Sequence, residues 1–355
     1  MDVLYLGPYR QSDSWGSSSR SFLESIISVK DFEVCSRPLF MGSTPVHSVT
    51  PKILMAESKK KAKYDVLVQH CLPSYSVYHG DFSKNVIITS FETANCKAGI
   101  NNLNLLDVIA VQTEAEKQAA PKEVRDKVIP IGFSTHVDND NTQKNFVVSG
   151  KKGADFIFYA FAGGLEERTG IKELLLSYML AFHLNDNVTL VIQTSNMQGL
   201  NDMIQDISQK IGIYEKAYYP KIHLVTDGSN LHKEGNCFVD CSKTFGMSDN
   251  VASALINNAS PIVLQGSGKD EYVTAENGFI VKSNRTRVLC KERPMPQMFC
   301  SSETYLEANV DCLIETMHLS YKDKLRHMKK TCDESLLDII SPQRQANNLK
   351  ELICS

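Results

Sequence analysis

The sequence predicts an α/β protein of two doubly wound units, each a parallel sheet with helices on both faces, facing one another across a cleft. Three observations lead there. Short, nearly continuous β-branched runs alternate with polar connections, the pattern of strands buried on both faces. The alternation stops in a polar, turn-rich stretch at 136–153 and then starts again. The length, 355 residues, exceeds one ordinary domain and suits two.

In the first unit, Val3-Leu-Tyr-Leu6 is a strand closed by Gly7-Pro8, and Arg10 to Ser19 reads as a loop holding the only tryptophan, Trp15. Ser17 to Ser19 are the expected caps of a helix starting near Arg20, with Phe22, Ile26 and Ile27 on its apolar side. Phe32-Glu-Val34, Val66-Leu-Val68, Val86-Ile-Ile88, Val108-Ile-Ala-Val111 and Val128-Ile-Pro-Ile131 are further strands. Between the last two, Glu114 to Lys127 is helix-like and broken at Pro121.

The second unit opens on strand Phe156-Ile-Phe-Tyr159 and the turn Gly163-Gly164. A helix follows from Ile171 to Leu184, then strand Val188 to Ile192, helix Met203 to Ile211 and strand Ile222 to Val225. Cys237-Phe-Val-Asp240 is the next strand, followed by a loop with Gly246, a helix capped by Ser248 or Asp249 that runs to about Asn258, and strand Pro261 to Leu264. Such a helix N-terminus aims unpaired N–H groups above the sheet and makes an anion site. Gly278 to Val281 is a strand, and a helical tail runs from about Thr304, broken by Pro342. The expected organisation is 1–135 as first domain, 136–153 as linker, 154–320 as second domain and 321–355 as C-terminal helices.

Composition excludes several classes. A net charge of −3 leaves no global footprint for nucleic acid or membrane, and no apolar run is long enough to span a bilayer. The start of the chain enters a strand directly, and ten scattered cysteines without a CxxC pair read as reduced thiols, so the expected setting is the cytoplasm.

The order of motifs then becomes distinctive. Phe161-Ala-Gly-Gly-Leu-Glu-Glu-Arg-Thr-Gly170 before a Leu-rich helix resembles the G-x-L-x-x-R-K-G turn of GT-B glycosyltransferases, particularly those grouped as family 4. Cys241 to Val263 resembles their E-G-F-G-L-P-x-x-E-A-M-A-x-G-x-P-V-I segment. Gly266-Ser-Gly-Lys-Asp-Glu-Tyr272 and Glu276-Asn-Gly-Phe-Ile-Val281 are similar to the G-G-x-x-E and N-G-x-L-V that close the block. Val68-Gln-His-Cys-Leu-Pro73 and Ser90-Phe-Glu-Thr93 are similar to segments of glycosyltransferases common in bacteriophages and cyanobacteria. The resemblance covers most of 1–320 and implies a first domain for the acceptor, a second for a nucleotide-sugar, and C-terminal helices returning to the first. Two departures stand out. The family's two glutamates, eight apart, fall on Lys243 and on Val251 or Ala254, with a small insertion around Ser248 to Asn250. Its Arg/Lys pair falls on Gly164 and Thr169, leaving Arg168 beside them.

Transfer of a glycosyl group releases a nucleoside diphosphate, whose charge the protein must neutralise. Arg168, the amides from Gly246 to Asn250, and Lys243 suit that task. Ser242, Thr244 and Asn250 suit hydroxyls of ribose or sugar, and Gly164, Thr194 and Met247 complete the expected donor-binding set. His70, at a strand end, is a candidate general base or a satisfied structural histidine; Glu92 is a candidate base or a cap near Thr93. Trp15, Gly16, Ser17 and Arg20 are expected on a loop over donor phosphate or acceptor.

No cofactor is expected beyond a nucleotide-sugar donor, a UDP-sugar ahead of a GDP-sugar. No metal is expected either, since Asp138-Asn-Asp140 sits in the linker. The basic run Lys59-Lys-Lys-Ala-Lys63 reads as a helix end, or as a contact for a polyanion. The phage-like likeness makes a hydroxymethylated pyrimidine in DNA the first acceptor to consider, in host cytoplasm. The alternatives are a glycan, lipid or protein acceptor, an inactive GT-B binding module, or a nucleotide-sugar epimerase of the same architecture.

Overall fold

Two six-stranded parallel sheets carry the chain. The computed structural model describes residues 1–41, 46–134, 156–213, 220–288, 302–323 and 338–355. The first sheet holds β1 (Asp2–Gly7), β2 (Glu33–Pro38), β3 (Val66–His70), β4 (Lys84–Ile88), β5 (Val108–Val111) and β6 (Val128–Pro130), in the order β2-β1-β3-β4-β5-β6. All five residues of β3 are buried, which is why its sequence shows no polar alternation. The connections carry α1 (Ser14–Ser28), α2 (Pro51–Ser58), α3 (Ile100–Leu105) and α4 (Glu114–Ala119).

The second sheet holds β7 (Phe156–Ala162), β8 (Val188–Thr194), β9 (Ile222–Val225), β10 (Cys237–Val239), β11 (Ser260–Leu264) and β12 (Phe279–Val281), in the order β12-β11-β10-β7-β8-β9. Its helices are α5 (Ile171–Ala181), α6 (Met197–Lys210), α7 (Leu231–Glu234) and α8 (Asp249–Ile256). The strand order turns back on itself beside β7, and a ligand cleft in such a sheet lies at the carboxyl ends near that switch.

A two-stranded antiparallel ribbon, β13 (Ser283–Arg287) with β14 (Thr304–Ala308), joins the halves: Ala94 and Thr304 form a β-bridge, and Thr93 Oγ1 donates to Glu303 Oε2 at 2.6 Å. Next, α9 (Val310–Lys322) packs on α5, and α10 (Pro342–Cys354) packs on α1. From α10, Ala346, Leu349, Leu352 and Ile353 enter the same apolar cluster as Phe22 and Ile26, and Ser25 Oγ donates to Gln345 Oε1 at 2.9 Å.

Several expected boundaries are corrected. Helix α1 begins at Ser14 rather than near Arg20, because Asp13 caps it by accepting from Gly16 N–H at 2.8 Å. Trp15, Gly16 and Ser17 are therefore in its first turn and not in a loop. Helix α6 starts six residues early, at Met197, where the Asn196 side chain accepts from Gly199 N–H. Helix α5 stops at Ala181, because Phe182 is extended. Thr304 to Ala308 is a strand, paired from Arg287↔Thr304 to Ser283↔Ala308, and the tail becomes helical only after Asn309 caps α9. The expected linker, with Asp138 and Asp140, lies outside the described residues. The described cysteines are all free thiols.

Candidate functional site

The carboxyl ends of both sheets meet around one cleft of about 290 Å³. The first half supplies Ser14, Trp15 and Ser18 from α1, His70 from the end of β3, Thr89, Ser90 and Glu92 around the turn after β4, and Gln112 after β5. The second half supplies Arg168 after β7, residues 242 and 244–248 between β10 and α8, Asp249 and Asn250 in the first turn of α8, and Lys269 after β11. A smaller adjoining cavity of about 160 Å³ shares Ser242, Ser248 and Asn250, and adds Phe161, Phe238 and Asp240.

On the first wall, His70 is buried between the edges of Trp15 and Phe22, with ring centroids 5.7 and 5.2 Å away. Its Nδ1 lies 3.0 Å from the Tyr5 hydroxyl, which also bonds Ser19. Burial pushes the His70 pKa down to about 3, so the ring is neutral at physiological pH. Its Nε2 has no hydrogen-bond partner among the described residues. Glu92 faces the second half and pairs with Arg168, Oε2 to Nη1 at 2.8 Å. This ion pair crosses the cleft. Beneath it Glu116 is wholly buried, and burial raises its pKa to about 7 even though Ser90, the Gln112 N–H and Thr113 all hydrogen-bond to it. Its Oε1 has no partner.

On the second wall, the backbone itself is tailored. Gly170 has φ +67°, and a Cβ there would sit 1.8 Å from the Cys241 carbonyl oxygen, so only glycine lets the turn after β7 lie against the turn after β10. That approach lets Lys243 N–H donate to the Arg168 carbonyl at 2.8 Å and fixes the Arg168 turn beside Ser242. Ser242 is held in turn by Asp240, whose Oδ1 accepts from both its N–H and its hydroxyl. Gly246, at φ +101°, comes within 3.0 Å of Glu116 Oε1 when a Cβ is built on it, so the donor-side loop touches the first half directly. Phe245 N–H also donates to the Glu92 carbonyl. Met247 and Asn250 complete this wall with the N-terminus of α8, where Ser248 makes no side-chain cap. Arg168 Nε and Thr89 Oγ1 are buried polar atoms without partners, which a polar ligand in the cleft would satisfy.

Of the residues expected from sequence, Trp15, His70, Glu92, Arg168, Ser242, Thr244, Gly246, Met247 and Asn250 thus share one cleft. The others do not line it. Lys243, expected as a cation beside the anion, is wholly buried instead, with Nζ 2.9 Å from Glu173, 2.9 Å from Glu307 and 3.5 Å from Glu167. Burial opposes its charge, but the hydrogen bonds and charges of Glu173 and Glu307 outweigh burial and raise its pKa. Arg20 donates to the carbonyls of Tyr9 and Gln11, bracing the chain ahead of α1. Gly16 passes under the Gln11 carbonyl, and Ser17 donates its N–H to Asp13. Thr194 ends β8, where its Oγ1 accepts from Asn196 N–H, and Gly164 lies against Glu166.

Lys269 and Glu116 are among the residues at the site that the sequence motifs do not mark. Lys269 falls on an unspecified position of the G-G-x-x-E pattern; the available signal was a lysine directly behind glycines at a strand end. Glu116 lies in the helix-like stretch from Glu114 to Lys127, and the available signal was the capping-box spacing Thr113-x-x-Glu116. Among the described residues, no group of three His, Cys, Asp or Glu side chains is placed to hold a metal, and no helix is long and apolar enough to cross a membrane.

The architecture is that of the GT-B glycosyltransferases. A glycosyltransferase from Rickettsia africae matches 99% of this chain and 97% of its own at 13% identity, with a TM-score of 0.58. Sucrose-phosphate synthase from Thermosynechococcus elongatus matches 99% and 98% at 12% identity, with a TM-score of 0.59. Anabaena HepE, solved with UDP-glucose, matches 100% and 99% at 11% identity, with a TM-score of 0.57. No protein-family model and no curated protein matches the sequence.

Proposed function

We propose that this protein is a glycosyltransferase that moves a sugar from a nucleotide-sugar, a UDP-sugar first, to an acceptor hydroxyl. One observation carries the reading: a cleft between two sheets has a cationic wall and a helix N-terminus on one side, and a carboxylate with a neutral histidine on the other. Diphosphate charge belongs on the cationic wall of the second half and a hydroxyl to be deprotonated on the carboxylate wall of the first. The GT-B fold and the neighbours solved with UDP or UDP-glucose support the donor class. The adjoining cavity, with Phe161, Phe238 and Asp240, takes the nucleoside.

In this reading Glu92 accepts the acceptor's proton, and His70, neutral and anchored to Tyr5, accepts a hydrogen bond from a sugar hydroxyl. The resemblance to family 4 supports a retaining outcome, whereas a working Glu92 base supports inversion; the anomer of the product decides between them. The phage-like motifs around His70 and Glu92 support a hydroxymethylated pyrimidine in DNA as acceptor, and the host cytoplasm as its place. The basic run after α2 does not bear on this, since Lys59 and Lys61 pair with Glu33 and Asp2 at the amino ends of β2 and β1, opposite the cleft.

The test is incubation with UDP-sugars and a panel of hydroxymethylated duplex, plain duplex and glycan acceptors, read by mass. A hexose-sized gain on one acceptor with release of UDP is expected. Interconversion of free nucleotide-sugars without any acceptor would overturn the transferase reading. A second reading, an inactive binding module, is favoured by the burial of Lys243 where the family has a glutamate. It is distinguished by UDP binding without hydrolysis or transfer.

A further inference from the structure

Lys269 is 2% exposed, yet it lines the cleft. Its Nζ donates to the Thr244 carbonyl at 3.1 Å, and no carboxylate pairs with it among the described residues. Stripping water from an ammonium costs several kcal/mol, roughly, and one carbonyl dipole offsets only part of that. The same half of the molecule shows the alternative: the structural lysine, Lys243, is surrounded by three carboxylates. Nearby, Asp270 is committed to the N–H groups of Gly266 and Gly268, and Glu271 to those of Glu114 and Ala115 at the start of α4. The acidic residues that follow Lys269 are therefore engaged elsewhere, and its charge is left facing a cleft with Arg168 and the start of α8.

We propose that Lys269 is a catalytic cation that binds the β-phosphate of the donor and neutralises it as it leaves. The proposal rests on reading the cleft as a nucleotide-sugar site. In the step, the bond from the sugar's anomeric carbon to the β-phosphate oxygen breaks, and its electron pair stays on that oxygen. A bond forms from the acceptor oxygen to the anomeric carbon, and the acceptor proton passes to the Glu92 carboxylate. Lys269 keeps its proton and hydrogen-bonds the departing oxygen, where the negative charge grows. Such a group stabilises the transition state more than the bound donor.

The experiment is calorimetric titration of the full chain with UDP and with uridine, in wild type, K269M, K269Q and K269R. K269Q keeps an N–H donor for the Thr244 carbonyl and guards against a folding defect in K269M. The expected result is that both neutral variants lose roughly ten- to a hundredfold in UDP affinity. Uridine binding stays unchanged, and K269R retains most of the UDP affinity. UDP affinity unchanged in a folded K269M or K269Q, with wild type binding UDP, overturns the role of Lys269 alone. Failure of wild type to bind either UDP or uridine overturns the reading of the cleft as a UDP-sugar site itself.

Discussion

Lys243 and Lys269 lie 26 positions apart, in the turns that follow the neighbouring strands β10 and β11, both essentially without solvent contact, and they solve the problem of a buried cation in opposite ways. Around Lys243, side chains from three places converge: Glu167 after β7, Glu173 on α5 and Glu307 on β14. Its backbone ties Arg168 on one side and Leu306 on the other. That lysine is a rivet between the Arg168 turn and the β13–β14 ribbon. Lys269 has one carbonyl and an open cleft. The difference teaches that the sign of a residue does not say whether its charge is used; the partners do. The position where the family resemblance expects a glutamate holds a structural lysine here, and an unmarked position next to the same loop carries the cation without a carboxylate partner.

Glu92→Gln removes the base proposed for the opposite wall while freeing Arg168. Turnover is expected to fall by about 10²- to 10⁴-fold, with UDP affinity kept or raised. Steady-state kinetics alongside UDP titration checks both, and a parallel loss of affinity would mean that Glu92 positions Arg168 for the donor. Lys243→Met leaves three carboxylates facing one another, and Glu173 Oε2 already lacks a partner. Stability is expected to drop by about 3–5 kcal/mol, read from denaturant midpoints. A normal midpoint with lost UDP binding would make Lys243 a donor residue after all.

Gly246→Ala acts where the two walls touch. At φ +101°, with a Cβ 3.0 Å from Glu116 Oε1, the variant is strained by about 1–3 kcal/mol. Donor affinity is expected to fall with stability, because the same loop leads into α8; unchanged melting and binding would remove Gly246 from the site.

The smallest effect is the pH dependence. The His70 pKa is depressed to about 3, so between there and its ordinary value the unfolded chain binds the extra proton, and stability falls as pH falls. Glu116 is raised to about 7, so the folded chain holds the extra proton between its ordinary value and 7, and stability falls as pH rises through that window. Glu116→Gln is expected to flatten the loss of stability approaching pH 7 and leave the acid limb to His70. An identical pH profile in the variant would place the Glu116 titration outside that window.

Much of the frame was legible in sequence because parallel strands buried on both faces write themselves as unbroken apolar runs; β3 and β7 needed no other clue. The strand-end residues His70, Glu92 and Ser242 were legible for the same reason, since topology alone sends strand ends to one edge. What failed depended on choices between equivalent local chemistries. Asp13 and Ser17 to Ser19 are all competent caps, and the turn that brings Asp13 Oδ1 to the Gly16 N–H is set by Arg20 holding Tyr9 and Gln11. Thr304 to Ala308 is short, and its strand state comes from β13, residues away in sequence. The fates of Lys243, Lys269 and Glu116 were not legible, because each is decided by groups supplied from distant elements.

The most direct test of the central claim is a crystal structure of the protein with UDP. The diphosphate is expected within hydrogen-bond reach of Lys269 Nζ, with Arg168 and the start of α8 around it and Lys243 still among its three carboxylates. A diphosphate held on the His70 wall, or one bound by Lys243 released from Glu173 and Glu307, would contradict it.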